Sequence, residues 1–242
     1  MTRTGLRVVL STIAVMAAAT TALVGCSQGS SSPSSSPSPT DNGVSASTAE
    51  QILVKATDAA KAQSSVQIMA NGGSGTSAGK FDVNMSKTAG ASGSVTSDGQ
   101  TVQFFATEAN TWLKADKAYW TKQVNPAAAE LVGDKWVKVP NSNPAFAGLA
   151  NFANYSNAVT EMLKPGSAVT KGELTTVNGQ KAIILVSSKG QLWVATTGDP
   201  LPLQLQSTGA EGGTVMFFHW GSANVGSAPS AADTIDFQKL QG

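Results

Sequence analysis

The sequence predicts an α+β domain in which short helices pack on one side of a single antiparallel sheet. Two observations point there. Apolar residues alternate at period two through most of residues 65–123 and 168–220, with turn dipeptides between the runs, Asp98-Gly99, Asn178-Gly179 and Lys189-Gly190 among them. Helical spacing is confined to short stretches near residues 47–63, 126–132 and 144–164.

In chain order the first element is a helix. Ser47-Thr48-Ala49-Glu50 has the spacing of a capping box, and Ile52, Leu53, Ala56, Ala59 and Ala60 mark one face behind it. After Gln63 the period becomes two. Ser65 to Ala70, Lys80 to Lys87, Ala91 to Ser97, Thr101 to Thr107, Asn110 to Ala115 and Ala118 to Gln123 are expected as successive strands. Pro126 to Val132 is expected as a short helix, Lys135 to Val139 as an extended piece, and Pro144 to Lys164 as one or two helices that Pro165-Gly166 ends. Within the last stretch Phe146, Leu149 and Phe152, then Ala158, Val159, Met162 and Leu163, fall at helical spacing. The strands resume with Ala168 to Val177, Lys181 to Ser187, Gln191 to Thr196, Leu201 to Ser207 and Thr214 to Trp220.

This alternation makes one sheet face apolar. Val102 with Phe104, Ile183 with Leu185, Leu201, Leu203 and Leu205, and Val215 with Phe217 each recur at period two. Either the helices cover that face completely and form an ordinary two-layer core, or a strongly curved sheet and small helices enclose apolar space that is incompletely filled.

Ahead of the domain, Arg3 and Arg7 followed by the apolar, alanine-rich run Val8 to Leu23 have the layout of an export signal. That run of about 16 residues is short of the ~20 that span a bilayer, and it ends in small residues before a polar tract. It ends at LVGC, which holds Cys26, the one cysteine of the chain. LVGC resembles the lipobox of bacterial lipoproteins. That resemblance implies cleavage before Cys26, a diacylglycerol thioether on its sulfur and further acylation by chains such as palmitate, and two or more chains give durable anchoring. Residues 1–25 are then the signal peptide. Residues 26–45 are a tether: Gln28 to Ser45 is almost wholly Ser, Pro, Gly, Thr, Asp and Asn, too polar to order itself, and spans roughly 23 Å as a coil. Residues 46–242 form the folded domain, long enough for one sizeable core.

Removing residues 1–25 leaves 14 lysines against 15 acidic residues, a formal charge of −1, and no arginine. Without arginine forks to grip phosphates or base edges, nucleic acid is not expected as a partner. Phosphate-loop chemistry is also not expected. In NGGSGTSAGK (Asn71 to Lys80) Ser74 stands where a Walker loop needs its first glycine, and Phe81 where it needs a hydroxyl. Gly73, Gly75 and Ala78 do match a dinucleotide pattern, but the next residues alternate as a strand, so a hairpin loop is the expectation. His219 is the one histidine, and its alternation with Val215 and Phe217 places it at a strand end as a packed or rim residue. Glu108, Asp116, Glu161, Glu173 and Glu211 are scattered without a pairing spacing. No catalytic residue, metal or cofactor is expected.

Four pieces carry a resemblance across nearly all of residues 46–242: AYWTKQVNPAAAELVGDKWVKVP, VNGQKAIILV, GQLWVATTGDPLPLQL and the closing VMFFHWG. Together they resemble the actinobacterial cell-envelope lipoproteins of the LolA-like superfamily, the LppX and LprG type. The resemblance implies a half-barrel, a single strongly curved antiparallel sheet with short helices packed on its concave side. It also implies a hydrophobic cavity for the acyl chains of a lipid or glycolipid, and it brings no catalytic motif. The short helices of this chain depart from the pattern in being rich in alanine and asparagine. Cavity candidates on this reading are Val102, Phe104, Phe146, Met162, Leu163, Ile183, Leu185, Leu203, Leu205 and Phe217.

The leading expectation is a non-enzymatic lipoprotein held through Cys26 in the outer leaflet of the cytoplasmic membrane, facing the cell wall, that binds or carries a lipid or other amphiphile. The alternative is an envelope protein-binding or sensory module with a filled core and no lipid cargo. An enzyme acting on envelope polymers would need two facing carboxylates in a polar cleft.

Overall fold

Thr48 opens the first helix, α1 (Ala49–Ala62), by a reciprocal pair of hydrogen bonds. Gln51 N donates to Thr48 Oγ1 at 3.3 Å, and Thr48 N donates to Gln51 Oε1 at 3.1 Å. The capping box therefore sits one residue later than the Ser47/Glu50 spacing, and Ser47 Oγ instead accepts from Lys55 Nζ at 2.8 Å. Ile52, Ala56 and Ala60 are fully buried on one helix face, where two alanines let the helix axis approach the sheet closely.

The structure is a computed structural model that describes residues 40–72, 79–208 and 212–240. The signal segment, Cys26 and the tether up to residue 39 lie outside the described residues, as do Gly73, Gly75, Ala78 and Glu211.

Twelve strands form one large, unclosed, mostly antiparallel curved sheet. They are β1 (Ser65–Gly72), β2 (Gly79–Ser86), β3 (Gly90–Ser97), β4 (Gln100–Ala106), β5 (Asn110–Lys114), β6 (Trp136–Pro140), β7 (Thr170–Val177), β8 (Gln180–Ser187), β9 (Gly190–Ala195), β10 (Pro202–Ser207), β11 (Gly213–Phe218) and β12 (Thr234–Asp236). The order across the sheet is β12-β6-β5-β4-β3-β2-β1-β11-β10-β9-β8-β7. Two meanders thus meet at the centre, where β1 pairs with β2 on one side and with β11 on the other. The register Gly72↔Gly79 brackets the glycine-rich loop, and β2 follows it where a dinucleotide site would need a helix.

Four further helices interrupt the meanders. α2 (Lys117–Gln123) and α3 (Pro126–Val132) lie between β5 and β6, and α4 (Ala147–Ala150) and α5 (Tyr155–Leu163) between β6 and β7. The expected strand over Ala118 to Gln123 is therefore a helix. Asp116 Oδ1 accepts from Tyr119 N at 2.7 Å and caps it, so a local polar signal overrides the β preference of the Tyr, Trp and Thr that follow. Asn125 and Asn154 cap α3 and α5 in the same way, accepting from Ala128 N at 2.8 Å and Asn157 N at 3.1 Å.

One core joins the helices to the inner face of the sheet. Ile52, Ala56 and Ala60 of α1 and Val159 and Leu163 of α5 pack with Val66, Ile68, Val83, Met85, Phe104 and Leu113. Each of the larger side chains among them is worth about 1.5–3 kcal/mol against an exposed reference, which is why the helical layer stays on this face. A smaller cluster occupies the other face: Val177, Ala182, Trp193, Ala195 and Leu203, with Ile184 and Met216 against it.

Three boundaries differ from the sequence reading. Residues 41–45, expected as the end of the tether, belong to the fold: Asn42 Nδ2 donates to Ala195 O at 3.1 Å and Gly198 O at 2.9 Å, and Val44 is buried. A short strand, β12, pairs in parallel with β6 in the segment after Trp220, where no element was expected. His219 lies just past the end of β11, exposed, with φ of 51°, and its carbonyl accepts from the amides of Ser222 and Ala223 at 2.9 Å. It is a turn residue where a packed or rim strand residue was expected.

Candidate functional site

Helix α5 is the wall on which the site is built. Tyr155, at its start, is buried, and its hydroxyl donates to Ala60 O of α1 at 2.8 Å. That bond ties α5 to the last turn of α1, and burial pushes the Tyr155 phenol up to about 12. Two turns further on, Met162 and Leu163 point α5 at the sheet, Leu163 buried and Met162 half-buried.

Between α5 and strands β8, β9 and β10 lies a cavity of about 240 Å³. Its walls include Leu53 of α1, Met162 and Leu163 of α5, Leu185 of β8, Leu192 of β9 and Leu205 of β10, with Val169 and Pro165 from the connection after α5. The same three strands form the apolar floor because Leu185↔Leu192 and Leu192↔Leu205 are registered neighbours, so their side chains stand in a row. The rim is polar: Glu161, Lys164, Ser187, Lys189, Gln191 and Gln206. Lys164 Nζ lies 3.4 Å from Glu161 Oε1, both well exposed.

The ten sequence candidates divide into four groups. Met162, Leu163, Leu185 and Leu205 line the cavity. Phe104, Ile183 and Phe217 are buried in the adjoining core, with Phe104 6.1 Å from the ring of Phe152 and Phe217 stacked 5.6 Å from Trp220. Val102 and Phe146 pack at the edge of that core. Leu203 faces the opposite side of the sheet. A bulge between Pro202 and Gln204 pairs Pro202 with Val194 and Gln204 with Trp193, which inserts one residue and reverses the side on which Leu203 falls. Sequence reasoning missed Val169 and Leu192 as lining residues. Leu192 carried a signal, its alternation with Val194 in the run QLWVA, whereas Val169 sits outside regular structure.

A second hollow of about 720 Å³ lies on the other side of α5. Its wall is mixed, with Glu108, Asn141, Asn151, Asn154, Asn157 and Glu161 set among alanines. Glu161 therefore borders both spaces. Asn141 is committed to structure, accepting from Thr111 Oγ1 at 2.9 Å and donating to Thr107 O at 2.8 Å and Glu108 O at 3.0 Å. Asp116 caps α2, and among the described residues no group of three or more His, Cys, Asp or Glu side chains is placed to hold a metal ion. No described helix is long and apolar enough to cross a membrane.

No protein-family model matches the chain, and no curated protein sequence matches it. Among solved structures it is similar to LprF from Mycobacterium bovis, with a TM-score of 0.53 and 12% identity over 74% of this chain and 96% of that one. The fold is that of LprF. The lipoprotein LppX of Mycobacterium tuberculosis is also similar, at a TM-score of 0.49 and 16% identity, covering 77% of this chain and 100% of that one. The LprF-like fold accounts for the unclosed curved sheet with short helices on its inner face. At 12% identity it transfers no individual residue, so the lining of the cavity stands on this chain's own geometry.

Proposed function

We propose that the protein is an exported lipoprotein, anchored through acylated Cys26 in the outer leaflet of the cytoplasmic membrane and facing the cell wall, that binds or carries an amphiphile without transforming it. The observation that carries the reading is the apolar cavity between α5 and β8–β10, open at a polar rim. An alkyl chain lodged there is removed from water at about 0.8 kcal/mol per CH₂. The LprF-like fold and the lipobox text at Cys26 support the same reading. The side chains around the cavity offer a place for a tail and a rim for a head.

The test is native mass spectrometry of the full processed chain released from its own envelope in mild detergent. A stoichiometric lipid adduct that is lost in Leu205→Trp, where the indole fills the cavity from a half-buried position, is the expected result. A wild-type protein that carries no lipid and crosslinks in cells to one defined protein would overturn it in favour of a protein-binding module.

A further inference from the structure

Two turns meet at the mouth of the cavity. Ser167, in the turn after α5, accepts at Oγ from Ser188 N at 3.1 Å, and its Oγ lies 3.0 Å from Ser188 Oγ. Ser188 and Lys189 form the turn between β8 and β9, and Lys189 O accepts from Thr208 N at 3.0 Å, just past β10. The β8–β9 turn is thus fastened on both sides.

The Lys189 side chain uses this arrangement. A Cβ added to Gly166 would overlap its Cγ, Cδ and Cε, so the aliphatic stem of Lys189 lies directly on the bare backbone of Gly166. Packing a lysine stem on backbone while its ammonium stays in water is the usual compromise for this side chain. Here the lysine is also one of the residues that line the apolar hollow. The other rim lysine, Lys164, is engaged by Glu161, whereas Lys189 forms no ion pair among the described residues. A cavity of about 240 Å³ is also below the ~300–1,000 Å³ of common ligand pockets, which suits one alkyl chain and not two.

We propose that Lys189, seated on Gly166, selects single-chain amphiphiles with an anionic head, a carboxylate or a phosphate, whose tail occupies the α5/β8–β10 cavity. This rests on the amphiphile-binding reading above and adds the head charge and the chain number. The gain from one exposed cation is modest, roughly 1.5-fold to fivefold in affinity at low salt, and it falls as salt rises.

The experiment compares decanoate, decyl phosphate and decanol by calorimetry on the full processed chain. At low salt the two anions are expected to bind roughly 1.5-fold to fivefold more tightly than decanol. Lys189→Gln should remove that preference and leave decanol affinity unchanged, Lys189→Arg should retain it, and Gly166→Ala, which dislodges the stem without altering charge, should act like Lys189→Gln. Equal binding of all three amphiphiles by the wild type, or a preference that survives Lys189→Gln in a folded variant, overturns the head-group assignment while leaving amphiphile binding intact. Binding of none of the three overturns both readings. Displacement of decyl phosphate by equimolar inorganic phosphate would show a free-anion site and equally overturn the proposal.

Discussion

The hydroxyl of Tyr155 donates to the carbonyl of Ala60 at 2.8 Å, and this buried bond joins the start of α5 to the end of α1. The Ala60 carbonyl also accepts from Gln63 N at 3.3 Å, so it keeps one partner when the phenol is removed. Tyr155→Phe is therefore expected to cost about 0.5–1.5 kcal/mol, read as a lower urea midpoint at unchanged slope.

The same residue sets a pH dependence. Its folded value near 12 lies above the ordinary tyrosine value of 10.0, so the unfolded chain loses this proton first as pH rises. The contribution is fully present below pH 10 and is lost between about pH 10 and 12. Melting temperatures of wild type and Tyr155→Phe across that window should converge with rising pH. Parallel curves would contradict the assignment.

The bulge in β10 separates two leucines that are two residues apart. Leu203 is buried with Trp193 on the outer face, and Leu205 borders the cavity on the inner one. Leu203→Ala is expected to cost about 2–5 kcal/mol and to leave amphiphile affinity unchanged. Leu205→Ala should destabilise less, because the side chain is only half-buried, while enlarging the cavity and shifting preference toward longer chains.

At Gly93 the neighbouring strand is too close for a side chain. A Cβ there would overlap the carbonyl oxygen of Asp82 and lie 2.8 Å from Val83 Cα, both backbone atoms of β2. Gly93→Ala is expected to lower stability by about 1–3 kcal/mol through displacement of the β2–β3 pair, seen as faster amide exchange in those strands than in β8 and β9.

Asn42 fastens the segment before α1 to the loop after β9. Besides its two bonds to Ala195 O and Gly198 O, its Oδ1 accepts from Val44 N at 3.0 Å. Asn42→Ala leaves these groups to water or unpaired, and thermal unfolding should report a loss of about 1–3 kcal/mol. A chain trimmed to begin at residue 46 should lose more, since it also uncovers the site of buried Val44.

Much of the sheet is legible in the sequence because a half-buried antiparallel strand writes its geometry as period-two text. Ile68, Val83, Phe104 and Phe217 recur at period two with Val66, Met85, Val102 and Val215, and all of these fall on the inner face. The failures are local. Asp116 looks like one more polar residue between strands until its side chain is seen to cap α2, and Thr48 and Ser47 are equally good caps on paper. β12 is three residues long and borrows its order from β6, so it has no periodicity to read.

The candidate site was less legible for a geometric reason. Met162, Leu163, Leu185 and Leu205 have the same apolar text as Phe104 and Ile183, yet only the first four line the cavity beside α5. A cavity is a difference between the volume that a backbone encloses and the volume its side chains fill, and no single residue encodes it.

The sequence by itself determined the composition on which the reading depends: one cysteine placed in LVGC, one histidine, no arginine after residue 25, and an alternating apolar stripe. Those are properties of residue type and local spacing. Only the tertiary structure decided that Leu203 turns away from Leu205, that residues 41–45 join the fold, and that Lys189 rests on Gly166 at the mouth of the cavity. Each depends on strand register or on contacts between segments far apart in the chain, where one inserted residue or one missing Cβ changes the outcome without altering the local pattern.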